Sequence, residues 1–455
     1  MKTNIQTIVS FNPFTDEELG SVICDSKESI NQKIQVLKSG FNSWSNKSLK
    51  ERIKVVAKIN DALTIKKQEI ANLITREIGR PITESLISVD MVISRTNYFL
   101  NVAENALKDE VCKLDGKTTN YLSYEPLGVV AVISGWNYPL NIPLWSIVPA
   151  LLAGNTILFK ASELSPLCGK IITEVMRAAD IGKDIFALIS GGVEQGKAIV
   201  DSDVDMISFT GCYTSGREIY KGSANSLRKL ILELGGNDCM VVLSDADIDD
   251  SVSNLVWGFT KNSGQACNAV RKVFLPKTLK NEFTKKLLDK VSAIKCGDPL
   301  DTNTKIGPIK DKKQIKAVKK LILENEERLV FGGEISSNVL TPTIIDADLD
   351  VVSKLNDEYF APLVFLTGYD AVEDVLNTIN SYDSGLTCSI WTSDIDKGAE
   401  LAKQIDCFTV GINKLGGSVD QCPWGGRKKS GLSFLLSEKG IREFAKMKNT
   451  RIRLA

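Results

Sequence analysis

The sequence contains no histidine. That absence excludes Ser-His and Cys-His catalysis and histidine-ligated metal sites within the chain. Any general base is therefore Glu, Asp, Lys, Cys or Tyr. The ten cysteines are scattered, with no Cys-x-x-Cys pair, so thiolate zinc is not expected and no metal is assigned. Most of them read as buried free thiols of a reducing compartment. No apolar run has the length of a membrane span; the longest, around residues 142–153, is broken by Pro143 and Pro149. Neither sign of charge is in excess, with 56 Lys+Arg against 56 Asp+Glu, so no global field recruits nucleic acid or membrane. Residues 1–20 are polar and acidic, without the basic-plus-apolar pattern of a leader, and a cytoplasmic location is expected.

What is present fits a globular protein: 455 residues, too many for one ordinary core, with a 43% hydrophobic share. Residues 27–109 are expected to be mostly helical. Ile53, Val56, Ile59 and Leu63 recur three to four apart and lay one apolar stripe on a helix. Residues 118–124 alternate and are β-prone, which predicts a strand outside the helical layer. From Gly128 short apolar runs alternate with helical stretches. Strands are expected at 129–133, 156–159, 185–189, 206–209 and 230–232, with helices at 143–152, at 168–179 and from Thr214. That rhythm predicts a parallel sheet with right-handed crossovers. It restarts after Gly235-Gly236 with a strand at 240–243 and a helix at 248–261, so a domain boundary is placed at the glycine pair. The tail 446–455 is basic and β-prone, suited to pairing with another strand.

Two segments carry chemistry. Cys267 closes the run Asn262-Ser263-Gly264-Gln265-Ala266-Cys267, and Glu233 lies in Leu232-Glu233-Leu234-Gly235-Gly236-Asn237. An ionised cysteine is a strong nucleophile towards a carbonyl carbon, and as a thioester it is a good leaving group in acyl transfer. A carboxylate tuned towards neutral pKa by desolvation can activate water. With Gly135-Trp136-Asn137-Tyr138-Pro139, Lys160-Ala161-Ser162-Glu163, Phe209-Thr210-Gly211-Cys212, Glu358-Tyr359-Phe360-Ala361-Pro362 and the 423–431 segment, these motifs resemble the NAD(P)-dependent aldehyde dehydrogenase superfamily. The resemblance runs from Phe11-Asn12-Pro13 to the region of Gly440, with its motifs in the family's order.

The resemblance implies an α/β fold: a variant Rossmann cofactor domain (1–112 and 128–235), an α/β catalytic domain (236–432) and small β oligomerisation segments (113–127 and 433–455). It implies Cys267 as nucleophile, Glu233 as general base, and Asn137 with the Cys267 backbone N–H as the oxyanion hole. Cofactor contacts are implied for Trp136, Lys160, Glu163, Phe209, Thr210, Gly211, Cys212, Gly216, Leu234, Gly235, Gln314, Glu358 and Phe360. Cys212 stands where the family usually has Ser, which leaves phosphate contact there to backbone N–H groups. Ala361 replaces Gly and adds a Cβ. Glu163, accepting from a ribose 2′-OH and repelling a 2′-phosphate, favours NAD over NADP, with NADP open. Glu233 also favours an acid product over a coenzyme A thioester, since acylating relatives typically lack it.

The substrate side is thinner. Trp145 and Trp424 are expected as apolar walls. Lys261 either holds a distal anion, where succinate semialdehyde dehydrogenases carry Arg, or only closes a helix end. Ser418 adds a polar contact beside it. A medium-sized aldehyde or semialdehyde follows. The competing readings are a coenzyme A-acylating enzyme, a non-catalytic family member and a redox-sensing thiol. In this family the 118–124 strand and the tail pair between subunits, so a homodimer or homotetramer is expected.

Overall fold

A computed structural model describes residues 6–113 and 118–453. Of the expected oligomerisation segments, residues 114–117 and 454–455 lie outside it. The chain opens with a hairpin that the sequence analysis does not predict, β1 (Thr7–Phe11) against β2 (Glu18–Ile23). Its strands are mostly exposed, so the alternation that flags a half-buried strand is weak there. Ser10 at its turn-side end donates to the buried Glu77 carboxylate at 2.7 Å and anchors the hairpin to the helices.

Four helices follow: α1 (Lys27–Ser45), α2 (Leu49–Ile65), α3 (Lys67–Ile78) and α4 (Ile82–Leu107). A capping box opens α2. Ser48 Oγ accepts from the Glu51 N–H and Glu51 accepts from the Ser48 N–H, a device contributing about 0.5–2 kcal/mol. The stripe read from the sequence points inward: Val56, Ile59 and Leu63 are fully buried, with Ile53 packed at their edge.

Then come β3 (Glu110–Lys113), β4 (Thr118–Pro126), β5 (Val129–Ile133), α5 (Asn141–Leu152), β6 (Thr156–Lys160), α6 (Pro166–Ala178), β7 (Phe186–Ile189), α7 (Val193–Val200), β8 (Met206–Thr210), α8 (Tyr213–Ser223) and β9 (Lys229–Glu233). Among the described residues, β9, β8, β5, β6 and β7 lie side by side, all parallel, and the short strand Gly431–Leu432 closes the β9 edge antiparallel. Every residue of β5 and β6 is buried, because helices cover both faces. That is why these strands read as unbroken apolar runs. β5 has β6 on one side and β8 on the other, so chain order reverses at β5. The carboxyl ends beside that switch point form the crevice where parallel sheets bind ligands.

The second sheet begins with β10 (Asp238–Val242). After α9 (Ile248–Thr260) comes β11 (Val270–Pro276), and the strand order is Leu329–Phe331, Thr343–Asp346, Leu363–Tyr369, β11, β10, Thr387–Trp391, Thr409–Ile412. Gly235-Gly236 lies between the two sheets.

The tail departs from expectation in its partner. The 118–124 strand and the tail do not stand as separate free edges. Ala445–Arg453 pairs antiparallel with β4 of the same chain along its whole length, from Ala445 opposite Pro126 to Arg453 opposite Thr118. β4 is thus central, between that strand and β3, and the unpaired edges are the outer ones. Residues 437–443, expected in the same segment, form a helix whose Ile441 is fully buried in the main core.

Candidate active site

The candidate residues converge because they sit at the carboxyl ends of neighbouring strands. Asn137 follows β5, Lys160 ends β6, Thr210 ends β8 and Glu233 ends β9. The second sheet brings Cys267, three residues before β11, to the same crevice.

Three consecutive left-handed residues shape the turn before Cys267: Asn262 (φ 50°), Ser263 (φ 57°) and Gly264 (φ 72°). Only glycine fits at 264, since a Cβ there would lie 2.1 Å from the Ala361 carbonyl oxygen. The two non-glycine residues cost about 1–3 kcal/mol each, so the surroundings must hold them. They do. The Asn262 N–H donates to Glu84 at 2.8 Å, its side chain donates to the Asn137 and Gln265 carbonyls at 3.0 Å, and Ser263 Oγ accepts from the Gly307 N–H at 2.9 Å. Arg271, fully inside, donates to the Gly264 carbonyl at 2.8 Å and to that of Ala361 at 2.9 Å. Asn137 itself is buried and donates to the Gln265 carbonyl at 3.1 Å. One amide hydrogen is spent there; the second remains for a ligand.

Cys267 is partly exposed, unlike the buried Cys168, Cys239, Cys388 and Cys407. Burial of the sulfur pushes its thiol up to about 12, with the Glu358 and Asp238 carboxylates adding to the rise and the Lys261 ammonium pulling against it. Burial also lifts Glu233 well above the usual carboxylate range. Its Oε1 is buried without a hydrogen-bond partner among the described residues. Glu358 is raised to about 8 by burial, against the pull of Arg271 and of the Gly236 N–H, which donates to its carboxylate at 3.2 Å.

The cofactor candidates form two groups. In one, Phe209 lies under Gly211, where a Cβ would meet the Phe209 ring at 2.4 Å. The Gly211 N–H donates to the Glu233 carbonyl at 3.0 Å. α8 starts at Cys212 with no side-chain cap, and the Cys212 sulfur contacts Ser215 Oγ at 3.3 Å. Gly216 and Leu234 touch, since a Cβ at 216 would lie 2.6 Å from Leu234. Lys160 is 4% exposed and pairs with Glu163 at 3.6 Å. In the other group, the Trp136 and Phe360 rings are 5.9 Å apart, Gln314 accepts from the Phe360 N–H at 3.3 Å, and Glu358 lies against Gly235. An uncapped helix N-terminus, a buried ammonium beside a carboxylate and a facing aromatic pair fit the pyrophosphate, a ribose and the nicotinamide of a dinucleotide.

The substrate candidates separate. Trp145 is partly buried and packs against the same core as Cys267, with Arg95 stacked on its ring at 4.5 Å. Lys261 caps α9, yet its side chain is buried, with the ammonium 4.7 Å from the Trp257 ring. Ser418 accepts from Arg95 at 3.2 Å, so its hydrogen bond goes to Arg95 and not to Lys261. Trp424 is corrected: it is 5% exposed, β-paired with Leu435 and part of the main core, so its ring is packing and not a channel wall. Sequence reasoning missed Arg271, Glu84 and Arg95. Arg271 alone had a signal, a charge inside the apolar run of β11. A cavity of about 790 Å³ lies away from this chemistry, at the opposite ends of β8 and β9, lined by residues including Arg228, Lys229 and Met447. No cysteine lines it, and the crevice with Cys267 is the better candidate.

Comparison with known proteins agrees. The sequence matches the aldehyde dehydrogenase family over residues 1–450. It is 28% identical over 435 residues to 4-trimethylaminobutyraldehyde dehydrogenase of Sus scrofa, covering 93% of this chain and 88% of that one. The fold is similar to that of an NADP-dependent enzyme of E. coli (TM-score 0.95, 27% identity, 99% of this chain and 95% of the other). It is also similar to a betaine aldehyde dehydrogenase variant of Staphylococcus aureus in complex with NAD+ (TM-score 0.93, 28% identity, 99% and 95%). With the motifs, the two sheets and the crevice between them all in accord, the chain belongs to the aldehyde dehydrogenase family.

Proposed function

We propose that Cys267 is the nucleophile, Asn137 the oxyanion donor and Glu233 the hydrolytic base of an enzyme that releases a free carboxylic acid. The general reaction of the family, oxidation of an aldehyde to the acid with NAD(P), frames this reading. The observation that carries it is the buried Glu233 oxygen with no partner. Leaving such an atom unpaired is costly, and a water seated against it is the reactant that thioester hydrolysis needs.

The Cys267 thiol gives its proton to solvent water, and the resulting thiolate adds to the aldehyde carbon. The free Asn137 hydrogen and the Cys267 backbone N–H hold the oxyanion that forms. Lys160, Glu163, the start of α8, Glu358 and Phe360 would hold NAD, which when bound would supply the hydride acceptor. The acyl group is then in thioester linkage to Cys267. Glu233 takes a proton from water, the oxygen adds to the acyl carbon, and the Cys267 thiolate leaves with release of the acid. A carboxyl raised by desolvation is a strong enough base for that proton. Glu163 favours NAD over NADP by charge.

The substrate reading is a medium-sized aldehyde with a distal anion. Lys261 is 6% exposed and its ammonium makes no hydrogen bond or ion pair among the described residues, and an unpaired buried ammonium favours an anionic partner. It opposes the cationic group in the aldehyde for which the Sus scrofa relative is named. Among the described residues no helix is long and apolar enough to cross a membrane. The outer edge of Ala445–Arg453, with Met447 70% exposed, supports a homodimer or homotetramer. The test is reduced-cofactor formation over a panel of neutral, anionic and cationic aldehydes, with NAD and NADP in parallel and coenzyme A added. A preference for semialdehydes with NAD, unaffected by coenzyme A, supports the reading; acceleration by coenzyme A overturns the acid product.

A further inference from the structure

Arg95 is a buried cation at the candidate channel that the mechanism does not use. It lies on α4 two turns beyond Ser88, and Ser88 exchanges hydrogen bonds with Asn141 at the start of α5. Trp145 lies one turn beyond Asn141, so Arg95 and Trp145 meet on the facing sides of these helices. The guanidinium stacks on the Trp145 ring at 4.5 Å, its Nε donates to Asp420 at 2.6 Å and an Nη donates to Ser418 at 3.2 Å. Three groups from two distant segments are thus fixed by one side chain that is 5% exposed. The segment holding Ser418 and Asp420 is also tied beside the nucleophile, because Asn268 donates to the Gly416 carbonyl at 2.9 Å. Arg95 and Asp420 are therefore linked on one side to Trp145 and on the other to the segment held by the residue after Cys267. As a pair they cancel.

We propose that the Arg95–Asp420 pair is a specificity-determining element: by holding equal and opposite charge in the channel wall, it sets the enzyme's discrimination between anionic and cationic aldehydes. This rests on the reading of Cys267 as nucleophile. Removing Arg95 leaves the Asp420 carboxylate uncompensated and turns the wall negative. Removing the Asp420 charge leaves Arg95 uncompensated and turns it positive. The two changes act in opposite directions, which loss of packing alone does not do. Trp145 is the shared surface through which the charge is presented.

The experiment measures kcat/KM for a carboxylate-bearing and a trimethylammonium-bearing aldehyde of equal chain length, and takes their ratio. Arg95→Met should lower the anion-to-cation ratio by about ten-fold or more, and Asp420→Asn should raise it by a similar factor. The double variant should return it towards the starting value. Where Arg95→Met does not fold, Arg95→Gln and Asp420→Asn carry the same comparison. A ratio unchanged in the folded variants, or shifted in the same direction by both single changes, overturns the proposal. Cys267→Ser, run alongside, separates the two claims: turnover surviving in it sinks the nucleophile reading whatever the ratio does.

Discussion

Asn137 donates its side-chain amide to the Gln265 carbonyl across 3.1 Å, which locks the proposed oxyanion donor to the turn carrying Cys267, the proposed nucleophile. The two groups come from different sheets, so this bond sets their mutual geometry. Asn137→Ala should lower kcat about 10²–10³-fold, the usual cost of an oxyanion donor. Steady-state kinetics check this, and kcat within a few-fold of the parent would remove Asn137 from the chemistry.

Burial above all pushes the Cys267 thiol up to about 12. Alkylation by iodoacetamide should therefore rise steadily through the neutral and alkaline range, by about ten-fold per pH unit, because only the thiolate reacts. Lys261→Met removes the ammonium that pulls the thiol down and should slow labelling below about pH 8, where Lys261 is charged. A plateau in labelling below pH 9 would contradict this environment.

Glu358 gives a prediction on stability. Burial first of all raises it to about 8 in the folded state, against an unfolded value of about 4.3. The folded protein binds that proton more tightly. The resulting stability is fully present below the unfolded value and is lost as pH rises through the folded one. Glu358→Gln should thus shrink the fall in melting temperature between pH 5 and pH 8 while weakening NAD binding. An unchanged fall would show that Glu358 ionises freely.

Glu163 pairs with the buried Lys160 at 3.6 Å. Glu163→Ser removes the charge that opposes a 2′-phosphate. KM for NADP should fall and the NAD preference should narrow by about ten-fold or more. Cofactor-exchange kinetics read this directly.

The parallel sheet was legible because β5 and β6 are buried on both faces and leave unbroken apolar runs. Cys267, Glu233 and Asn137 stood out as candidates because each sits in a recognisable motif beside a strand. The hairpin at 7–23 was not, since its strands are largely exposed and lack alternation. Trp424 misled because an aromatic beside glycines reads alike in a channel or a core, and only the packing assigns it to the core. The Arg95–Asp420 pair joins residues 325 apart, and no local pattern announces such a contact. The partner of the terminal strand was open for the same reason: β-propensity marks a strand but not what it pairs with.

Intact-protein mass spectrometry of Glu233→Gln, mixed with an aldehyde and NAD, tests the central claim most directly. The account predicts a burst of reduced cofactor of about one equivalent per site, with an acyl adduct on the peptide containing Cys267, since acylation proceeds and hydrolysis stalls. Undiminished steady turnover with no adduct, or the same adduct in a Cys267→Ala background, would contradict it.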